Sequence, residues 1–197
     1  MYELRRGACA RIGSVALSTI AVVLLLWATA GAARAAKPAI AVGGCASATV
    51  IPSNPALRGA AADAVLCLIN AERTLRGLAP VVASPLLGKA AAFHSTDMVR
   101  QGYFGHVTPS GLDLRKRVAR TGYLRGARRA TLAEAIAWGA DLYATPAELV
   151  KDLMQSATHK AIITDRRYRD IGVGLALGAP VEGMGDGATL ALNFGRR

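Results

Sequence analysis

Apolar and polar residues alternate along this chain in three distinct ways. An almost uncharged run, Ile12 to Ala30, is densest over Ile20–Trp27 and shows no amphipathic period. From Ala36 to about Ala60 no helical or strand period appears, and Gly43-Gly44, Pro52 and Pro55 punctuate the segment. Beyond it the pattern becomes helical. Val65, Leu68, Ile69 and Leu75 predict a first helix over 62–76, ended by Gly77. Ser84 and Pro85 open a second as N-cap and first-turn proline. Its stripe is Leu87, Ala90, Ala91, His94 and Met98, and Gly102 closes it. A shorter helix is expected over 113–121 before Gly122, with Leu114 and Val118 inward and its basic residues toward solvent. Thr145-Pro146-Ala147-Glu148 is a capping box that starts a fourth helix, running to about Gln155.

The tail changes period. Residues 171–177 and 188–194 alternate small and branched side chains and predict two strands joined as an antiparallel hairpin through 178–187. Helices followed by an antiparallel meander predict an α+β layered domain over 61–197.

The first 35 residues read as a secretory signal. Arg5, Arg6 and Arg11 precede the apolar run, and Ala33-Arg34-Ala35 supplies the small residues before a cleavage point after Ala35. The rival reading is an uncleaved membrane anchor, since the run is roughly long enough to span a bilayer. Either reading takes the domain out of the cytoplasm, and residues 36–60 become a flexible tail or linker. Export changes what the cysteines mean. Cys9 falls in the signal, and Cys45 and Cys67 are left as a pair that an oxidising compartment favours as a disulfide. The alternative is two unpaired thiols.

Charge narrows the partners. The 197-residue chain carries 24 Lys+Arg against 13 Asp+Glu. Without Arg5, Arg6, Arg11, Arg34 and Glu3 the balance is 20 against 12, near +8. A basic exported protein suits anionic partners such as lipid headgroups or envelope polymers. Nucleic acid is not expected, because only 5% of the chain is aromatic and no basic stripe interleaves with aromatics. The run Arg115, Lys116, Arg117, Arg120, Arg125, Arg128 and Arg129 has two readings, a solvated face or an anion-docking rim.

Six motifs in order carry a family resemblance. They are Leu68-Ile-Asn70-Ala-Glu-Arg73 with Gly77-Leu78-Ala-Pro80, then Ala90–Met98, then Gly102-Tyr103-Phe104-Gly105-His106 with Pro109 and Gly111. Ala133-Glu134-Ala135-Ile136-Ala137, Met154–Ile163 with Ser156 and His159, and Arg167–Gly174 with Asn193-Phe194-Gly195 complete them. Together they resemble the bacterial branch of the CAP (SCP-like) superfamily, over about Leu66 to Gly195. The resemblance implies a three-layer α-β-α sandwich with a central antiparallel sheet and a surface cleft. It also implies a cleft cluster of His106, Glu134 and His159, with zinc as the expected divalent metal. Departures stand beside it: Ala133 and Ala135 replace the Gly and Asn flanking the signature Glu, and Ala157-Thr158 replaces Pro-Gly before His159. Leu153 replaces a usual Trp, which puts Ser156 where a second acidic residue is expected.

The residues leave several functions open. Two imidazoles and a carboxylate are metal ligands with room for water, but Glu134 also suits the role of orienting one imidazole. A hydrogen-bonded His–Glu–His scaffold and acid–base catalysis are the other readings. His94 is expected to be a partly buried structural histidine, and Trp138 and Tyr143 core or cleft wall. Ser95 and Ser156 each lie near a histidine, yet no Gly-x-Ser-x-Gly elbow or His-Glu-x-x-His helix occurs. The expectation is therefore a secreted, metal-binding CAP-type module, a monomer or weak dimer, that meets lipid or an anionic envelope component. The alternatives are a hydrolase of peptide or wall material and a non-catalytic protein with a vestigial cleft.

Overall fold

The structure, a computed structural model, describes residues 44–181, 183–184 and 187–197. The signal region and its cleavage point lie outside the described residues. Among the described residues, no helix is long and apolar enough to cross a membrane.

Helices α1 (Leu57–Leu75), α2 (Pro85–Gln101), α3 (Leu114–Thr121), α4 (Pro146–Gln155) and α5 (Ala157–Ile163) surround strands β1 (Val82–Ala83), β2 (Thr131–Ala140), β3 (Asp170–Leu177) and β4 (Gly187–Arg196). A 3-10 turn, Asp141–Ala144, links β2 to α4. The strand order is β1-β3-β4-β2. β4 pairs antiparallel with both β3 and β2, whereas the two-residue β1 pairs parallel with β3. The three long strands form the expected central antiparallel sheet, and the short β1 adds one parallel pairing at its edge. β1 and β3 are joined through α2, α3, β2, α4 and α5 rather than by a hairpin, a crossover that permits parallel pairing.

Three layers result. On one face α1 and α4 bury Val65, Ile69, Leu149 and Leu153 against Leu175, Leu190, Leu192 and Phe194. On the other, α2 and α3 bury Leu87, Ala90, Val118 and Tyr123, with Ala91 and Met98 meeting Ile136 and Ala191. The predicted caps at Ser84 and Thr145 hold, and Asp113 and Ser156 prove to cap α3 and α5: each of the four accepts a backbone N–H three residues on. Helix α2 lies on β3 at backbone contact distance: a Cβ at Gly172 or Gly174 would sit 2.1 Å from Leu87 C or Ala91 C. That approach sets α2 close enough for its side chains to reach the sheet's polar residues.

Residues 36–60, expected to be a flexible tail, depart from expectation from Gly44 onward. Cys45 bonds Cys67 in α1, Cys45 and Ala48 are buried in the larger core, and Ala147 N–H donates to Ala48 O at 2.9 Å. The cause is covalent: the disulfide closes a loop across a sequence separation of 22, contributing roughly 3 kcal/mol on the chain-entropy model. Helix α1 also begins five residues earlier than predicted, at Leu57.

Candidate functional site

Glu134 organises the site. It sits in β2, opposite Asn193 of β4, on the face covered by α2. Its side chain is 3% exposed. A buried carboxylate is costly unless its lone pairs are filled. Here three donors fill them, and a second imidazole stands nearby. His106 Nδ1 donates to Oε1 at 2.9 Å, and Arg117 Nη2 donates to Oε2 at 2.5 Å. With its amide oriented to satisfy both ends, Asn193 Nδ2 donates to Oε2 at 3.0 Å and Oδ1 accepts from Ala91 N–H at 3.1 Å. His94 Nε2 lies 3.7 Å from Oε1. Burial pushes the Glu134 carboxyl up, but the His106 hydrogen bond and the charges of Arg117 and His94 outweigh it and hold it below its ordinary value.

Arg117 corrects the reading of its helix. It is 2% exposed, not solvated with the rest of the basic run. Besides Glu134 it donates from Nη1 to His106 O at 2.9 Å and Leu112 O at 2.7 Å. One guanidinium therefore fixes both the carboxylate that holds the His106 ring and the loop that carries its backbone. The ring itself remains 55% exposed. With Nδ1–H directed to a carboxylate, the Nε2 lone pair is the one left for a ligand.

His94, expected to be partly buried on the apolar stripe of α2, is fully buried. Yet its ring belongs to the polar cluster. Nδ1 lies 3.4 Å from Tyr103 Oη, which donates to Asp97 Oδ2 at 2.7 Å. Its Nε2 has no hydrogen-bond partner among the described residues. Burial lowers its pKa, and Arg117 adds to that; Glu134 and Asp97 oppose.

The sign of the consequence is clear. A proton binds His94 more readily unfolded, near 6.5, than folded. Stability is complete above about pH 6.5 and falls as pH drops toward the folded value. Thermal unfolding at about pH 7.5 and about pH 5.5 should show that loss, with a shallower loss in His94→Gln. Equal stability at both pH values in the wild type would contradict this account.

His159 stands near the N-terminus of α5, half-buried, its Nδ1 buried and unpartnered among the described residues. Burial lowers its pKa first, the neighbouring His106 lowers it further, and Asp152 opposes. Ser156 is no substitute for a second carboxylate. Its hydroxyl caps α5 by accepting from His159 N–H at 3.5 Å. Ser95 is likewise committed, donating to Ala92 O at 3.2 Å. Trp138 and Tyr143 line an open cavity of about 610 Å³ at the end of β2, with Asp152 and Gln155 on its α4 side.

A metal set needs convergent donors. Among the described residues, no group of three or more His, Cys, Asp or Glu is arranged to hold a metal ion. Both Glu134 oxygens are engaged, whereas the exposed His106 ring keeps Nε2 free and stands close enough to His159 for its charge to act there.

Residues 66–183 match the model of the CAP, cysteine-rich secretory protein family. The uncharacterized protein YkwD of Bacillus subtilis is 36% identical over 113 residues, covering 56% of this chain and 40% of YkwD. Among solved structures, an extracellular SCP-domain protein from Bacillus anthracis aligns with TM-score 0.54 at 23% identity, over 68% of this chain and 39% of that one. An outer surface protein of Borrelia burgdorferi aligns with TM-score 0.52 at 17% identity, over 68% of this chain and 90% of its own. The chain thus spans well under half the length of YkwD and of the anthracis protein. The family match covers more than half of the sequence and includes His94, His106, Arg117, Glu134 and His159: this chain belongs to the CAP family of cysteine-rich secretory proteins.

Proposed function

We propose that the protein is an exported CAP-domain binding module whose cleft takes a divalent metal, zinc, between the imidazoles of His106 and His159. The observation that supports this most directly is the 2.9 Å hydrogen bond from His106 Nδ1 to a carboxylate that is itself clamped by Arg117. Such an anchor selects the tautomer with Nε2 free and holds an exposed ring in one orientation. Export is supported by the Cys45–Cys67 bond, which suits an oxidising compartment. Glu134 orients rather than ligates in this reading. Bound zinc would supply open coordination positions for water or a ligand oxygen. With two protein donors, affinity is modest.

The test is a calorimetric zinc titration of the purified protein near neutral pH. One saturable site is expected, lost in His106→Ala and in His159→Ala. Glu134→Gln, which keeps both imidazoles, should weaken binding about 10–100-fold. A wild type that takes up no zinc would leave the cluster as a hydrogen-bonded clamp and end the metal reading. Binding that survives both histidine substitutions would place the metal elsewhere.

A further inference from the structure

Helices α2 and α3 do not close completely over the sheet. Between them lies a cavity of about 300 Å³ lined by Lys89, Ala90 and Phe93 from α2 and by Arg117, Arg120 and Thr121 from α3. On each helix these positions fall one turn apart, so two helical faces look at each other across the gap. Three of the six side chains are cationic and none is acidic. Lys89 and Arg120 have no ion-pair partner among the described residues. Phe93, an aromatic at 47% exposure, forms the apolar wall.

Arg117 adds an independent observation. It is 2% exposed, and its Nη groups are committed to Glu134, His106 O and Leu112 O. Its Nε is buried and has no hydrogen-bond partner among the described residues. A guanidinium N–H without an acceptor is a cost to the fold that a ligand oxygen removes. The cavity thus combines two free cations, an unsatisfied buried donor and an aromatic face.

From this arrangement we infer that the α2–α3 cavity is a binding site for a phosphate ester with an apolar body, the phosphate between Lys89 and Arg120 over Arg117 and the body against Phe93. Arginine and lysine together suit a tetrahedral oxyanion, Arg through its planar fork and Lys as a mobile point charge. A volume of about 300 Å³ admits the phosphate and a short apolar chain. The site shares Arg117 with the Glu134 cluster but contains neither proposed metal donor, and nothing in it requires a metal.

The ester could belong to a phospholipid headgroup or to a soluble molecule, and the experiment separates the two. Metal-stripped protein is titrated with inorganic phosphate, with hexyl phosphate, and with vesicles of phosphatidylglycerol or of phosphatidylcholine alone, following amide shifts and heat. Hexyl phosphate is expected to saturate, with shifts concentrated at Lys89, Phe93, Arg120 and Thr121. It should bind at least about fivefold tighter than inorganic phosphate because of Phe93. Lys89→Gln/Arg120→Gln should weaken it about tenfold or more, while Arg115→Gln/Arg128→Gln, equal in charge removed, changes it less than about twofold. Vesicle binding that follows the same pair of variants assigns a lipid headgroup, and hexyl phosphate binding without vesicle binding assigns a soluble ester; both support the site. Equal losses in the two double variants, or no saturation by hexyl phosphate, would overturn it. So would vesicle binding indifferent to Lys89 and Arg120.

Discussion

Replacing Glu134 by glutamine is expected to destabilise the domain by about 3–5 kcal/mol in urea unfolding at neutral pH. Glutamine matches the size of glutamate, so packing is not the cause. Arg117 stays buried with its Nη1 bonds to His106 O and Leu112 O, but its charge loses the carboxylate that compensates it. The single amide oxygen also cannot accept from His106, Arg117 and Asn193 at once. Removing the stranded charge as well should recover much of the loss, so Glu134→Gln/Arg117→Met is expected to be more stable than Glu134→Gln alone. The double variant still leaves His106 O and Leu112 O without their donor, which sets the limit of recovery. A Glu134→Gln protein within about 1 kcal/mol of wild type would mean that water reaches the cluster and that the carboxylate does not organise it.

This cluster was only half legible in the sequence, for physical reasons. His106, Glu134 and His159 came from motif order rather than from any periodicity, and they alone suggested a His–Glu–His set. Arg117 was hidden in plain view. Positions 114, 117, 118 and 121 share one face of α3, so Arg117 lies beside Val118 on the inward stripe. A basic residue in a run of basic residues reads as solvated, because the buried acceptor that overrides this is seventeen residues away in β2. His94 was correctly placed in the core, but an apolar stripe cannot say that the ring's polar edge faces a carboxylate.

The fold shows the same division. Helix caps and the β3–β4 hairpin depend on local chemistry, and the structure follows them closely. Strand β2 was not visible. Ala133, Ala135 and Ala137 alternate with Leu132, Glu134, Ile136 and Trp138, but alanine has no preference for strands and one large residue is charged. The strand exists because β4 pairs with it along its whole length, a contact far away in sequence. The segment from Gly44 to Ala56 failed for a related reason. Its composition reads as linker, and contacts distant in sequence, the bond to Cys67 and the packing of Ala48 beside α4, make it part of the core.

A second large effect is expected at Arg73, outside the cleft. Its guanidinium is fully buried, and among the described residues no carboxylate forms an ion pair with it. It is held by main-chain carbonyls: Nε donates to Ala79 O at 2.9 Å, and Nη1 to Ile163 O at 2.7 Å and Asp165 O at 3.0 Å. One side chain on α1 thereby ties the turn before β1 to the end of α5. Two opposing effects decide what Arg73→Leu does. Exchanging a buried charge for an apolar side chain is often neutral or stabilising when the partners leave with it. Here the partners are backbone oxygens that no substitution removes, and each costs about 1–3 kcal/mol if left buried and unpaired. The second effect wins, and Arg73→Leu is expected to lose about 3–5 kcal/mol, a range set by how much water the loop admits. Arg73→Lys keeps the charge but not the fork that reaches three carbonyls at once, and should lose about half as much. Amide exchange should quicken around Thr164–Tyr168 in both variants before it changes in β4. A leucine variant as stable as wild type would show that the desolvation of the guanidinium outweighs all three of its hydrogen bonds.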